Sequence, residues 1–247
     1  MTTIDIDLPT PTSALAIAAH PDDSEFGCGA TLAKWAAAGC LVSHLVCTDG
    51  SKGTWDPDQD LTGLVAQRQA EQRAAAKALG ATGEVVFLGW PDGELESGLR
   101  QRSQVAYWIR TLRPAVVLGH DPWKRYRLHP DHRHAGYLTV DGVVAARDPH
   151  FFPEQRVPHH RPDALLLFEA DQPDHVEQVD DADVARKLAA LEAHRSQLRS
   201  TMFVDPDSPE GEAQLAAFQA RVRERLVAHG QLAGVPCGEA FKAITDL

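Results

Sequence analysis

Five short apolar runs, each followed by a helical pattern, constrain this chain most. They are ALAIAA (14–19), LVSHLVCT (41–48), EVVFLG (84–89), AVVLGHD (115–121) and PDALLLFEA (162–170). A strand with one wet face alternates apolar and polar residues. These runs are nearly continuous, as in parallel strands covered on both faces. Helix patterns separate them at 29–39, 64–80, 103–114 and 131–146, and two more lie at 183–198 and 211–230. Gly39 and Gly80 close the first two, Pro114 stops the third, and Asp131, just after Pro130, starts the fourth. HVEQVD (175–180) is a sixth strand candidate. The alternation predicts the α/β class: one Rossmann-like domain over 1–247, with a mostly parallel central sheet flanked by helices. Ligands of such sheets bind outside the carboxyl ends of the strands.

That rule draws attention to two polar clusters. His20, Pro21, Asp22 and Asp23 follow the first apolar run, and LHPDHRH (128–134) lies in the loop after the fourth. An Asp before a helix is commonly only its cap, so one cluster alone says little. Two clusters at one end of the sheet, rich in His and carboxylate, match the donor set of a catalytic zinc site, where three protein ligands leave a position for water. His20 and Asp23, three apart, can turn toward one ion, with His132 as third ligand. Such an ion acidifies its water, but a proton acceptor is still required. Asp22 is the candidate general base. His129 is the candidate group to stabilise an oxyanion, with Asp131 expected to hold its tautomer and raise its pKa. Fe2+ or another divalent ion suits the same ligands.

Composition narrows the partners. With 35 acidic against 24 basic residues the net charge is -11, which argues against nucleic acid and anionic membranes. Cys28, Cys40, Cys47 and Cys237 form no C-x-x-C pair, which points to a reducing compartment. No run approaches a membrane span, and MTTIDIDLPTPTS lacks the basic and apolar regions of a signal peptide, so a cytoplasmic protein is expected. Gly27 and Gly29 follow a strand, but Leu32 breaks the dinucleotide fingerprint. Trp55, Trp90 and Trp123 fall in expected loops at the active end, where they either bind a sugar ring or cover the core. The last helix is charged on one side and apolar on the other; it suits packing on the domain or a homo-oligomer interface.

AHPDDSE (19–25), GCGATLAKW (27–35) and HPDH (129–132) together resemble the LmbE-like, PIG-L type deacetylases. TDGSKGT (48–54), RQAEQRAAAKALG (68–80), FLGWPDGEL (87–95), KLAALEAHRSQ (187–197) and EAF (239–241) extend the resemblance in order along the chain. It implies zinc held by His20, Asp23 and His132, Asp22 as base, and His129 at the oxyanion or the leaving amine. It further implies that Arg68 and Asp92 help bind a sugar. Some mycothiol-related members carry a Tyr two positions before the first His of HPDH; Arg127 stands there in this chain, and Tyr126 lies one residue earlier. The expected activity is hydrolysis of an N-acetyl or N-acyl group on an amino sugar or glycoside. An amidase for a larger substrate, such as a thiol conjugate or an acylated antibiotic, is the alternative enzyme. A non-catalytic metal- or sugar-binding protein is the alternative from another class.

Overall fold

The structure, a computed structural model, describes residues 4–247; the first three residues of the domain expected over 1–247 lie outside the described residues. Its strands are β1 (Asp5–Ile6), β2 (Ser13–Ala18), β3 (Leu41–Thr48), β4 (Val85–Trp90), β5 (Val116–His120), β6 (Ala164–Phe168), β7 (His175–Gln178) and β8 (Gly238–Ile244). Its helices are α1 (Asp23–Ala37), α2 (Leu61–Leu79), α3 (Leu99–Leu112), α4 (Pro130–Arg147), α5 (Asp181–Ala193) and α6 (Gly211–Ala233). The strands form one sheet in the order β1-β7-β8-β6-β5-β2-β3-β4. The run from β6 to β4 is parallel throughout, as is the β1–β7 pair; β8 lies antiparallel between β6 and β7.

The apolar runs of β2, β3, β5 and β6 are buried on both faces, while β4, at the sheet edge, is only half-buried. Along β2, Leu15 and Ile17 join the core with Ile109 of α3 and Leu138 of α4. Ala14 and Ala16 join the other core with Leu32 and Trp35 of α1 and Leu79 of α2. β2 leads through α1 to β3 on one side and has β5 as its other neighbour. The order therefore reverses between β2 and β5, and a crevice opens at their carboxyl ends. No helix of the described residues is long and apolar enough to cross a membrane.

Several boundaries differ from the sequence expectation. β8 was hidden because Glu239 and Lys242 interrupt its apolar residues. The helix expected from residue 29 begins at Asp23 and breaks at Cys28 (φ -145°, ψ 18°). Gly27 and Gly29 flank the break and make this segment read as loop. Behind the break, the freed amides of Ala30 and Thr31 donate to the Glu239 carboxylate at 3.1 and 2.7 Å. Lys187 Nζ neutralises that carboxylate at 2.5 Å and also donates to the Phe26 carbonyl at 2.8 Å. Glu239 and Lys187 are 1% and 3% exposed, so neither can turn to water. Glu239→Ala is expected to cost about 3–5 kcal/mol by stranding Lys187 and two amides. Denaturant titration reads this as a lower midpoint, and an unchanged midpoint would refute the role.

Trp90 is no loop residue. It ends β4, packs half-buried on the core and donates from Nε1 to Gln104 at 2.8 Å. Trp55 and Trp123 are exposed.

Candidate metal centre and active site

The crevice between β2 and β5 collects both polar clusters. His20 and Asp22 lie in the turn after β2, and Asp23 opens α1. The second cluster opens α4: His129 is its N-cap, Pro130 its first residue, and Asp131 and His132 follow in the first turn. His20 Nδ1 lies 3.2 Å from Asp23 Oδ2 and 3.2 Å from His132 Nε2, which in turn lies 3.2 Å from Asp23 Oδ1. Two ligands about 2.0–2.1 Å from one tetrahedral zinc stand roughly 3.3 Å apart. Two imidazole nitrogens and a carboxylate turned on one point at that spacing fit a divalent cation.

A second group, His20, Asp92, His129 and Asp131, also converges within metal-binding reach. Its carboxylates are largely occupied by protein donors. Asp131 accepts from the Gly93 and Leu95 amides at 2.6 and 3.2 Å, and Asp92 from the Lys52 amide at 3.0 Å. Both also reach His20 Nε2, at 3.1 and 3.2 Å. They hold the ring by one nitrogen and leave Nδ1 for the cation, the usual arrangement around a metal-binding histidine. The expected pairing of the Asp131 carboxylate with His129 is therefore corrected. The link between the two is the Asp131 backbone N–H, which donates to His129 Nδ1 at 3.3 Å. The neutral His129 ring then carries its proton on Nε2. Burial and the neighbouring His20 and His132 push its pKa down on balance, and outweigh the upward pull that Asp131 exerts as expected.

Asp22 is held in an unusual way. Its φ is 104°, a conformation that only glycine adopts without strain. Gln72 Oε1 accepts from its amide at 3.0 Å, and Arg68 Nη2 reaches its carboxylate at 3.3 Å. Burial pushes the Asp22 carboxyl up to about 6, while Arg68 pulls the other way. A base with that affinity is poised for work near neutrality.

Arg68 was expected to touch a sugar, and the structure places it lower. It is 3% exposed and spends its donors on Pro21 O (2.6 Å), Gly50 O (2.8 Å) and Asp22. A Cβ at Gly53 would lie 2.2 Å from its Nη1, so glycine makes the room for the guanidinium. Arg68→Gln is expected to lower kcat/KM roughly 10- to 100-fold with metal retained, as loss of an outer partner does. Steady-state kinetics beside metal analysis checks it, and wild-type turnover would remove Arg68 from the site.

The position of His120 at the end of the fourth expected strand suits a supporting role beside the pocket, and the structure gives it one; Glu169 and Gln72 were not foreseen. His120 stacks on His132 with ring centroids 4.5 Å apart, and its Nε2 lies 3.3 Å from Asp23. Arg127, 8% exposed, donates to Glu169 at 2.6 Å and approaches the outer nitrogens of His120 and His132 at 3.2 and 3.4 Å. Tyr126 is 86% exposed. The available signal was position: His120 ends β5 and Glu169 directly follows β6, at the carboxyl edge that carries the ligands.

The family described as "PIG-L: GlcNAc-PI de-N-acetylase" matches residues 15–143. A diacetylchitobiose deacetylase of Thermococcus kodakarensis is 36% identical over 187 residues, 74% of this chain and 69% of that protein. A 1D-myo-inositol 2-acetamido-2-deoxy-alpha-D-glucopyranoside deacetylase of Streptomyces avermitilis is 35% identical over 170 residues, 58% of this chain and 57% of its own length. Among solved structures, an N,N'-diacetylchitobiose deacetylase from Pyrococcus horikoshii superposes with a TM-score of 0.83 at 28% identity, over 95% of this chain and 84% of the other.

Proposed function

The chain belongs to the PIG-L (LmbE-like) family, and from that premise we propose that it is a zinc-dependent hydrolase that removes an N-acetyl group from an amino sugar or glycoside. The observation that carries the reading is the 3.2 Å triangle of His20, Asp23 and His132 with the strained Asp22 beside it. A divalent cation held by His20, Asp23 and His132 would supply Lewis acidity and lower the pKa of water. Asp22 takes the proton of the attacking water. The neutral His129 aims its Nε2–H at the oxyanion that develops on the amide, and the proton held by Asp22 passes to the departing amine. Asp92 and Asp131 fix His20, while Arg68 and Gln72 fix Asp22. Products are the free amino sugar and acetate.

The test is amine release from a panel of N-acetylated amino sugars and glycosides, with metal content determined, then chelation and return of zinc. Release lost on chelation and restored by zinc supports the reading. Metal-independent release, or a metal-loaded protein inert on the whole panel, counts against it.

A further inference from the structure

Behind the metal-bearing turn lies a cavity of about 210 Å³ that this chemistry does not use. Phe26, Phe218, Val222 and Leu226 form its apolar part, with the first two rings edge to face at 6.2 Å. Along its α6 side stand Arg221, Arg225 and His229, four residues apart and so on one helix face. Arg221 and Arg225 are exposed at the rim and His229 is half-buried. Among the described residues neither arginine belongs to an ion pair, although Arg221 donates to the Met202 carbonyl at 3.2 Å. The one carboxylate lining the cavity, Glu239, is already committed to Lys187 and the amides of α1. His229 Nδ1 accepts from the Ala240 amide at 3.3 Å. Burial pushes its pKa down, so the neutral ring offers an Nε2–H that has no acceptor among the described residues. Phe203, 74% exposed and at φ 59°, extends the apolar wall to the mouth.

We infer that this cavity binds a small amphipathic carboxylate, its apolar body among Phe26, Phe218 and Leu226 and its charge on Arg221 and Arg225. Cations beside an apolar pocket select anion and hydrocarbon together. At roughly 30 Å³ per water the space equals about seven waters, which suits the chain of a six-carbon acid. The bound acid would lie against Phe26, whose amide donates to the Asp22 carbonyl at 3.0 Å. The site is thus separate from the metal yet touches the turn that carries the base.

The probe is hexanoate, titrated calorimetrically into the metal-loaded protein beside acetate and hexanol. Acetate reports any carboxylate taken by the metal, and hexanol reports apolar binding alone. Hexanoate is expected to bind at least tenfold more tightly than either, and R221Q/R225Q to lose that advantage while keeping its metal. Phe203→Ser gives a second reading from an exposed position. Equal affinities for hexanoate and acetate would overturn the inference, as would an advantage that survives R221Q/R225Q with Phe203→Ser.

Discussion

Asp22→Asn is expected to keep its metal, its fold and its substrate affinity, and to lose about 10²- to 10⁴-fold in kcat. That loss is about 3–5 kcal/mol on the barrier. The substitution preserves shape, leaves the bond from residue 22's amide to Gln72 Oε1 intact, and removes only the proton acceptor. It also takes the carboxylate charge from the buried Arg68, which keeps its bonds to Pro21 O and Gly50 O, so a modest loss of stability is expected. The decisive comparison is kcat against metal stoichiometry in one preparation. Turnover within a few-fold of wild type would move the base to another group.

His132→Ala should act on a different quantity. His132 sits half-buried in the first turn of α4, where alanine is tolerated, so the helix should survive. The cation, however, loses one of three converging ligands. Affinity should fall by more than about 100-fold, the upper end for losing an outer-shell partner. Turnover should vanish with the metal and return only in part at high added zinc. Competition titration against a coloured chelator measures it. A variant that binds zinc like wild type would take His132 out of the ligand set and favour the alternative group around Asp92 and Asp131.

The two predictions rest on residues that can be read from one sequence, and the reason is local. His20, Asp22 and Asp23 sit where an apolar run stops, and HPDH opens a helix behind the next strand in space, so residue type and strand end coincide. His120 gave less away because its partner Asp23 lies 97 residues distant and nothing in the Leu118–Gly119 context marks it as more than a strand end. Gln72 is one amide on a helix rich in polar side chains; only the fold shows it beneath Asp22. The supposed support of His129 by Asp131 failed for a geometric reason. Residues two apart at a helix start point in different directions. The Asp131 carboxylate turned to the Gly93 and Leu95 amides, and His129 capped the helix. In the fold, β2, β3, β5 and β6 were legible because both their faces are buried, whereas the exposed two-residue β1 left no pattern. β8 was not, since its Glu239 is buried for a contact with α1 that no local pattern encodes.

The tie between Glu239 and the broken helix α1 also sets a clock. The two partners lie 208 residues apart in the chain. At about 5–20 residues per second, synthesis of that interval takes roughly 10–40 s. During it the nascent α1 has no carboxylate for its freed amides, and the turn bearing Asp22 and Asp23 stands on an unfinished helix. The segments that hold Asp22 and Asp23 are among the first made, yet their final shape waits for the last strand, β8. Completion of the turn that carries the proposed base is thus a late event in the birth of each molecule.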